Sequence, residues 1–136
     1  MSREERAADA RRRVELSEQA ARNEAAAAQV LIDEFIAAAR AKGLEPVPLK
    51  ARTMDGHLVK TDKSGWYLRL NHSIAIDTDG GYQVLTVPGG WKERITGVKL
   101  KATLPSLQVG RGGRDGETGT LKEFLGWVLD GQVPQD

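Results

Sequence analysis

The sequence predicts an α+β protein: a long N-terminal α-helix, an antiparallel β-meander of about five or six short strands, and a C-terminal α-helix packed on the sheet. Three observations predict it. Residues 1–42 contain neither Pro nor Gly and are dominated by Ala, Glu and Arg, all good helix formers. From Gly43 onward Gly and Pro appear, and β-branched and aromatic residues alternate with polar ones, the pattern of short strands joined by turns. Near the end, "TLKEFLGWVLDG" returns to helical spacing. With 136 residues and 40% apolar content the chain can bury one modest core.

The first helix has marked ends. Ser2 with Glu5 three residues later forms a capping-box pattern, and Gly43 after Arg40 and Lys42 supplies a left-handed stop with cations near the negative end of the dipole. Its two halves differ. Ala28, Leu31, Ile32, Phe35 and Ala39 recur at helical spacing and predict a core-facing stripe. Upstream, Val14 and Leu16 are the only strongly apolar residues among many Arg and Glu. Residues 1–24 therefore read as a solvated or self-associating part of the helix, and residues 25–136 as a single α+β domain. A heptad-like series, Val14, Ala21, Ala28 and Phe35, makes a homodimer through this helix one expected arrangement.

The strands follow in order. "PVPLKART" leaves the helix extended, and Asp55-Gly56 is a hairpin turn into "HLVK". "DKSG" reads as the next turn, before "WYLRL". Asn71-His72 then turns into "SIAID", and "TDGG" turns into "YQVLTV". No connection is long enough for a parallel crossover, so the strands are expected to be antiparallel throughout. "VKLKATL" alternates Val98 and Leu100 with Lys99 and Lys101, as an edge strand guarded by lysines would. In the last helix Thr120 and Glu123 form a second capping box, Leu121, Phe124, Leu125, Val128 and Leu129 make one apolar stripe, and Gly131 ends it. Trp66 and Trp127 fit core positions, Trp127 at the border of its stripe.

Composition excludes several classes of function. With no cysteine there is no disulfide, thiolate metal site or cysteine nucleophile. The charged N-terminus lacks an apolar leader segment, and no window approaches the roughly 18 apolar residues of a membrane span. A cytoplasmic protein without membrane association is the simplest expectation. A net charge of +1 leaves electrostatic recognition to local patches.

The string "IAIDTDGG" resembles the first motif of haloacid-dehalogenase-type phosphatases, in which a strand ends in DxDGT and the first Asp is the nucleophile. Asp77 and Asp79 match that spacing, but Gly81 stands where Thr belongs, and too little chain follows for the α/β sheet that carries the other motifs. Asp-Gly-Gly between two strand-like runs is a hairpin turn, and Pro88 occupies the place where an EF-hand loop would need its closing Glu. His57 and His72 each sit beside a predicted turn with nothing to bring them together, so they read as solvated, and no metal or other cofactor is expected. No GxSxG elbow anchors a Ser/His/Asp triad. No residue is assigned a catalytic role.

The motif that remains is "VGRGGRDGETGT". Gly110, Gly112 and Gly113 free the backbone to turn N–H groups inward, Arg111 and Arg114 add forked cations, and the helix beginning near Thr120 points its positive end at the same place. It matches neither the Walker nor the dinucleotide-binding pattern, and Asp115 and Glu117 oppose the arginines. In "PGGWKER", Trp91 beside Lys92 and Arg94 is a second candidate contact. The expectation is a small non-enzymatic protein-interaction module of bacterial type, adaptor or regulatory, that meets an unidentified protein partner through Arg111, Gly112, Gly113, Arg114, Thr120, Trp91, Lys92 and Arg94. The alternative is nucleic-acid or phosphate-ligand binding through the Arg/Gly-rich loop 110–119.

Overall fold

The structure is a computed structural model that describes residues 1–109 and 118–136, and of Trp91 the backbone alone. Helix α1 (Arg3–Ala41) runs 39 residues, roughly 58 Å at the α-helical rise. The Ser2 hydroxyl accepts from the Glu5 N–H at 3.1 Å, the first half of the expected box. At the other end Gly43 adopts φ +74, its N–H donating to Arg40 O and that of Leu44 to Ala39 O. This paired closure leaves few carbonyls of the last turn unsatisfied.

Strand β1 (Val47–Thr53) pairs antiparallel with β2 (Leu58–Tyr67), β2 with β3 (Ile74–Asp77), and β3 with β4 (Tyr82–Val84). This is the expected meander, with one correction. Strand β5 (Thr86–Val87) pairs with β1 in parallel, giving the order β4-β3-β2-β1-β5. β4 and β5 thus lie at opposite edges although only Leu85 separates them in the chain. The sheet must curl until its edges meet. Leu85 makes the join, its N–H donating to Ser73 O at 2.8 Å and its carbonyl accepting from the Arg52 N–H at 2.7 Å. No crossover is needed, because one strand changes neighbours halfway along.

Two further expectations are corrected, and a short helix is added. "DKSG" is not a turn but lies inside β2, which is ten residues long. Gly65 is there for close approach: a Cβ on it would stand 1.9 Å from the Ile76 carbonyl oxygen of β3. "WKERIT" forms a short helix, α2 (Trp91–Thr96), whose Glu93 carboxylate accepts from the Gly90 N–H at 2.8 Å. "VKLKATL" forms no strand of its own and meets β2 and β4 only as isolated bridges, Val98 with Thr61 and Thr103 with Tyr82, with Ala102 exposed. Beyond it β6 (Gln108–Val109) and β7 (Gly119–Thr120) pair as a separate two-stranded ladder before α3 (Leu121–Leu129).

The curl has two buried faces, which side-chain alternation assigns. Leu49, Ala51, Val59, Tyr67, Ala75 and Leu85 fill its interior. Trp66, Leu68, Ile76 and Tyr82 face outward against Ala28, Ile32, Phe35 and Ala39 of α1 and Leu121, Phe124, Leu125 and Val128 of α3. Trp66 is fully buried, meets Phe35 edge-on at 5.5 Å and donates its indole N–H to Leu44 O. The predicted stripes of both helices are therefore the outer cover of the sheet, with Leu31 and Leu129 half-buried at their margins. Burying each large side chain of these stripes contributes about 1.5 to 3 kcal/mol.

No residue from 3 to 23 is buried. That stretch, roughly 31 Å of helix, projects past the sheet. Its side-chain bonds are local, Gln19 to Asn23 and Arg22 to Gln19. The heptad-like series is divided, since Ala28 and Phe35 belong to the chain's own core and only Val14 and Ala21 remain exposed.

Candidate functional site

The sequence-predicted contact residues fall into three groups. Arg111, Gly112, Gly113 and Arg114 lie outside the described residues. Thr120 caps α3: its hydroxyl accepts from the Glu123 N–H at 3.2 Å, and the Glu123 carboxylate accepts from the Thr120 N–H at 3.0 Å. These two donors from Thr120, its N–H and its hydroxyl, hold the Glu123 carboxyl below the usual range. Trp91, Lys92 and Arg94 all belong to α2, where Lys92 and Arg94 are exposed.

Asp77, the first acid of the phosphatase-like string, is buried and accepts three hydrogen bonds. One carboxylate oxygen accepts from the N–H groups of Asp79 (2.8 Å) and Gly81 (2.9 Å), the other from the Gln83 side-chain amide (2.7 Å). Burial alone would raise its pKa, but the Gln83 amide, the Gly81 and Asp79 N–H groups and the charge of Lys63 together hold it below the ordinary value. It is an ionised clamp on the β3–β4 turn. Three of its about four acceptor sites already face hydrogens, which is the opposite of what a nucleophile or general base needs. Among the described residues no three His, Cys, Asp or Glu side chains come together in a way that could hold a metal.

His72 departs from the solvated reading. It sits at φ +55, a left-handed conformation uncommon outside glycine, and its ring stacks on Tyr67 at 3.8 Å with the planes 3° apart. Its Nε2 lies 2.8 Å from Pro134 O, and because a carbonyl only accepts, Nε2 carries a hydrogen. The Tyr67 hydroxyl accepts from the Lys50 N–H, tying the stacked pair to β1. Next to it, the Gln135 side chain accepts from the Tyr67 N–H (2.7 Å) and donates to the Tyr67 carbonyl (3.0 Å), taking the place of a strand neighbour where β1 has ended.

These groups line a cleft of about 760 Å³ at the seam of the curled sheet, within the usual size of ligand sites. Lys50 and Arg52 enter it from β1, on the face opposite Leu49 and Ala51. His57, by contrast, is exposed in the β1–β2 turn and does not join it. Sequence reasoning missed this cleft because its members come from β1, the Asn71-His72 turn and the final residues. The one local signal was the alternation of Lys50 and Arg52 with apolar neighbours.

Fold and cleft together define an α+β protein with a helix-backed, edge-joined sheet. No protein-family model, curated protein or solved structure matches the chain. No helix of the described residues is long and apolar enough to cross a membrane.

Proposed function

We propose that the protein is a non-catalytic interaction module of the bacterial cytoplasm that presents the projecting half of α1 to a protein partner. The observation that carries this reading is the exposure of residues 3–23, none of which is buried and where Val14 is 55% and Leu16 65% accessible. Most helical stability in proteins comes from packing an apolar face, so a long uncovered helix is suited to receiving one from outside. The engaged state of Asp77 supports the non-catalytic half of the reading.

Val14 and Leu16 are two residues apart and lie on different faces of α1. Val14→Glu and Leu16→Glu therefore separate the faces while keeping a good helix former at each position. The test is recovery of a stoichiometric partner from native lysate by wild type and each variant, with sedimentation of the purified chain across concentrations. A partner lost with one variant and kept with the other supports the reading and names the face. Concentration-dependent association abolished by Val14→Glu would make that partner a second copy. Binding unaffected by either variant refutes the reading, as does turnover of a phosphate or acyl ester that disappears on substitution of Asp77 or Asp79.

A further inference from the structure

The cleft at the seam of the sheet combines two properties that rarely coincide by default. The first is an excess of positive charge. Lys50 stands directly opposite Lys60 in the β1–β2 register, an arrangement in which like charges repel, and Arg52 follows on the same face. None of the three forms an ion pair among the described residues; Arg52 reaches only the Gly56 carbonyl, at 3.1 Å. One acidic residue, Asp136, also lines the cleft. The second property is apolar surface in the same depression. Leu58 and Leu70 are 58% and 61% exposed there, and Leu85 forms part of the lining.

We propose that this cleft binds an organic anion, a carboxylate or phosphate carried on an apolar body. The anionic group neutralises Lys50 and Arg52 and relieves the Lys50–Lys60 repulsion. The apolar body covers Leu58 and Leu70. A free inorganic anion would leave the leucines wet, and a neutral apolar ligand would leave the cations unpaired and partly desolvated, so each half of the lining requires the other half of the ligand. The site is preformed. His72 is held by its stack on Tyr67 and its bond to Pro134 O, and Gln135 saturates the Tyr67 main chain, so the ligand meets a wall that needs no rearrangement. This inference is independent of the helix-arm reading.

The test is an amide-resolved NMR titration of the full chain with naphthyl phosphate, naphthol and inorganic phosphate in parallel. The expected result is saturable shifts at residues 50–52, 58 and 70–73 with naphthyl phosphate. Naphthol and inorganic phosphate should each bind about tenfold or more weakly, because each supplies only half of the complementarity. Lys50→Ala/Arg52→Ala should weaken naphthyl phosphate by a similar factor, with Lys122→Ala, on the exposed face of α3, as the unaffected control. Should the double variant lose its folded spectrum through the Arg52–Gly56 contact, Lys50→Ala alone keeps that contact and is expected to weaken binding several-fold. Equal affinity for naphthol and naphthyl phosphate would overturn the proposal by reducing the cleft to an apolar depression. Shifts centred on Gly119–Leu121 rather than on the cleft would overturn it by moving anion recognition to the Gly-rich loop.

Discussion

Replacing Asp77 offers the sharpest check on the reading of that residue as a clamp. Asp77→Ala removes three hydrogen bonds to an ionised acceptor at once, from the N–H groups of Asp79 and Gly81 and from Gln83. Bonds to charged groups contribute about 1.5 to 3 kcal/mol each, and with part of the freed turn regaining water the expected loss is roughly 3 to 5 kcal/mol. Asp77→Asn is gentler. Its amide oxygen keeps the two backbone donors, and the Gln83 amide turns over so that its oxygen, which has no partner among the described residues, accepts from the new NH₂. That variant should lose about 1 to 2 kcal/mol, mostly the charge. The pH dependence has a definite sign. Because the folded pKa is lowered, the carboxylate's contribution is complete above its unfolded value and disappears as pH falls through the folded one. Denaturant unfolding of wild type and Asp77→Asn at neutral pH and near about pH 3 should therefore show the gap between them narrowing in acid. A gap of the same size at both pH values, or a loss below about 1 kcal/mol for Asp77→Ala, would refute the clamp.

Other substitutions separate packing, capping and exposure. Gly65→Ala drives a methyl into the β3 backbone and should destabilise by more than about 4 kcal/mol, read as loss of cooperative thermal unfolding near room temperature. Thr120→Ala removes the α3 cap and should lower stability by about 1 kcal/mol in urea denaturation, with the far-ultraviolet helical signal retained. Val14→Glu should leave the stability of the purified chain within about 0.5 kcal/mol of wild type, since the side chain is 55% exposed, and a larger loss would show that the arm is covered in solution.

Helices α1 and α3 were legible in the sequence because their signals are local. Ser2, Gly43, Thr120 and Gly131 stand within a turn of the ends they fix, and the stripes containing Phe35 and Phe124 repeat over several turns. The sheet was legible as a meander for the same reason: its tight turns at Asp55-Gly56, Asn71-His72 and Asp79-Gly80 are written in adjacent residues. What escaped depends on contacts across the chain. Nothing near Gly65 distinguishes a turn glycine from one that admits a neighbouring strand, because the deciding atom belongs to Ile76. Leu85 changes strand neighbours without a composition change. His72 carries no sign of Tyr67 or Pro134, and so the cleft it helps to line was invisible, while Lys50 and Arg52 looked like an ordinary wet face.

The single strand that runs from one edge of the sheet to the other also bears on solubility. A conventional meander ends in two flanks whose unpaired N–H and C=O groups can template another chain, the first step of cross-β association. Here the same short run supplies both flanking strands, β4 of three residues and β5 of two. One of them is further occupied by Thr103, whose N–H donates to Tyr82 O at 2.9 Å. The protection is all-or-none. Loosening the Leu85 junction, which bonds to Ser73 on one side and to Arg52 on the other, would release both flanks together.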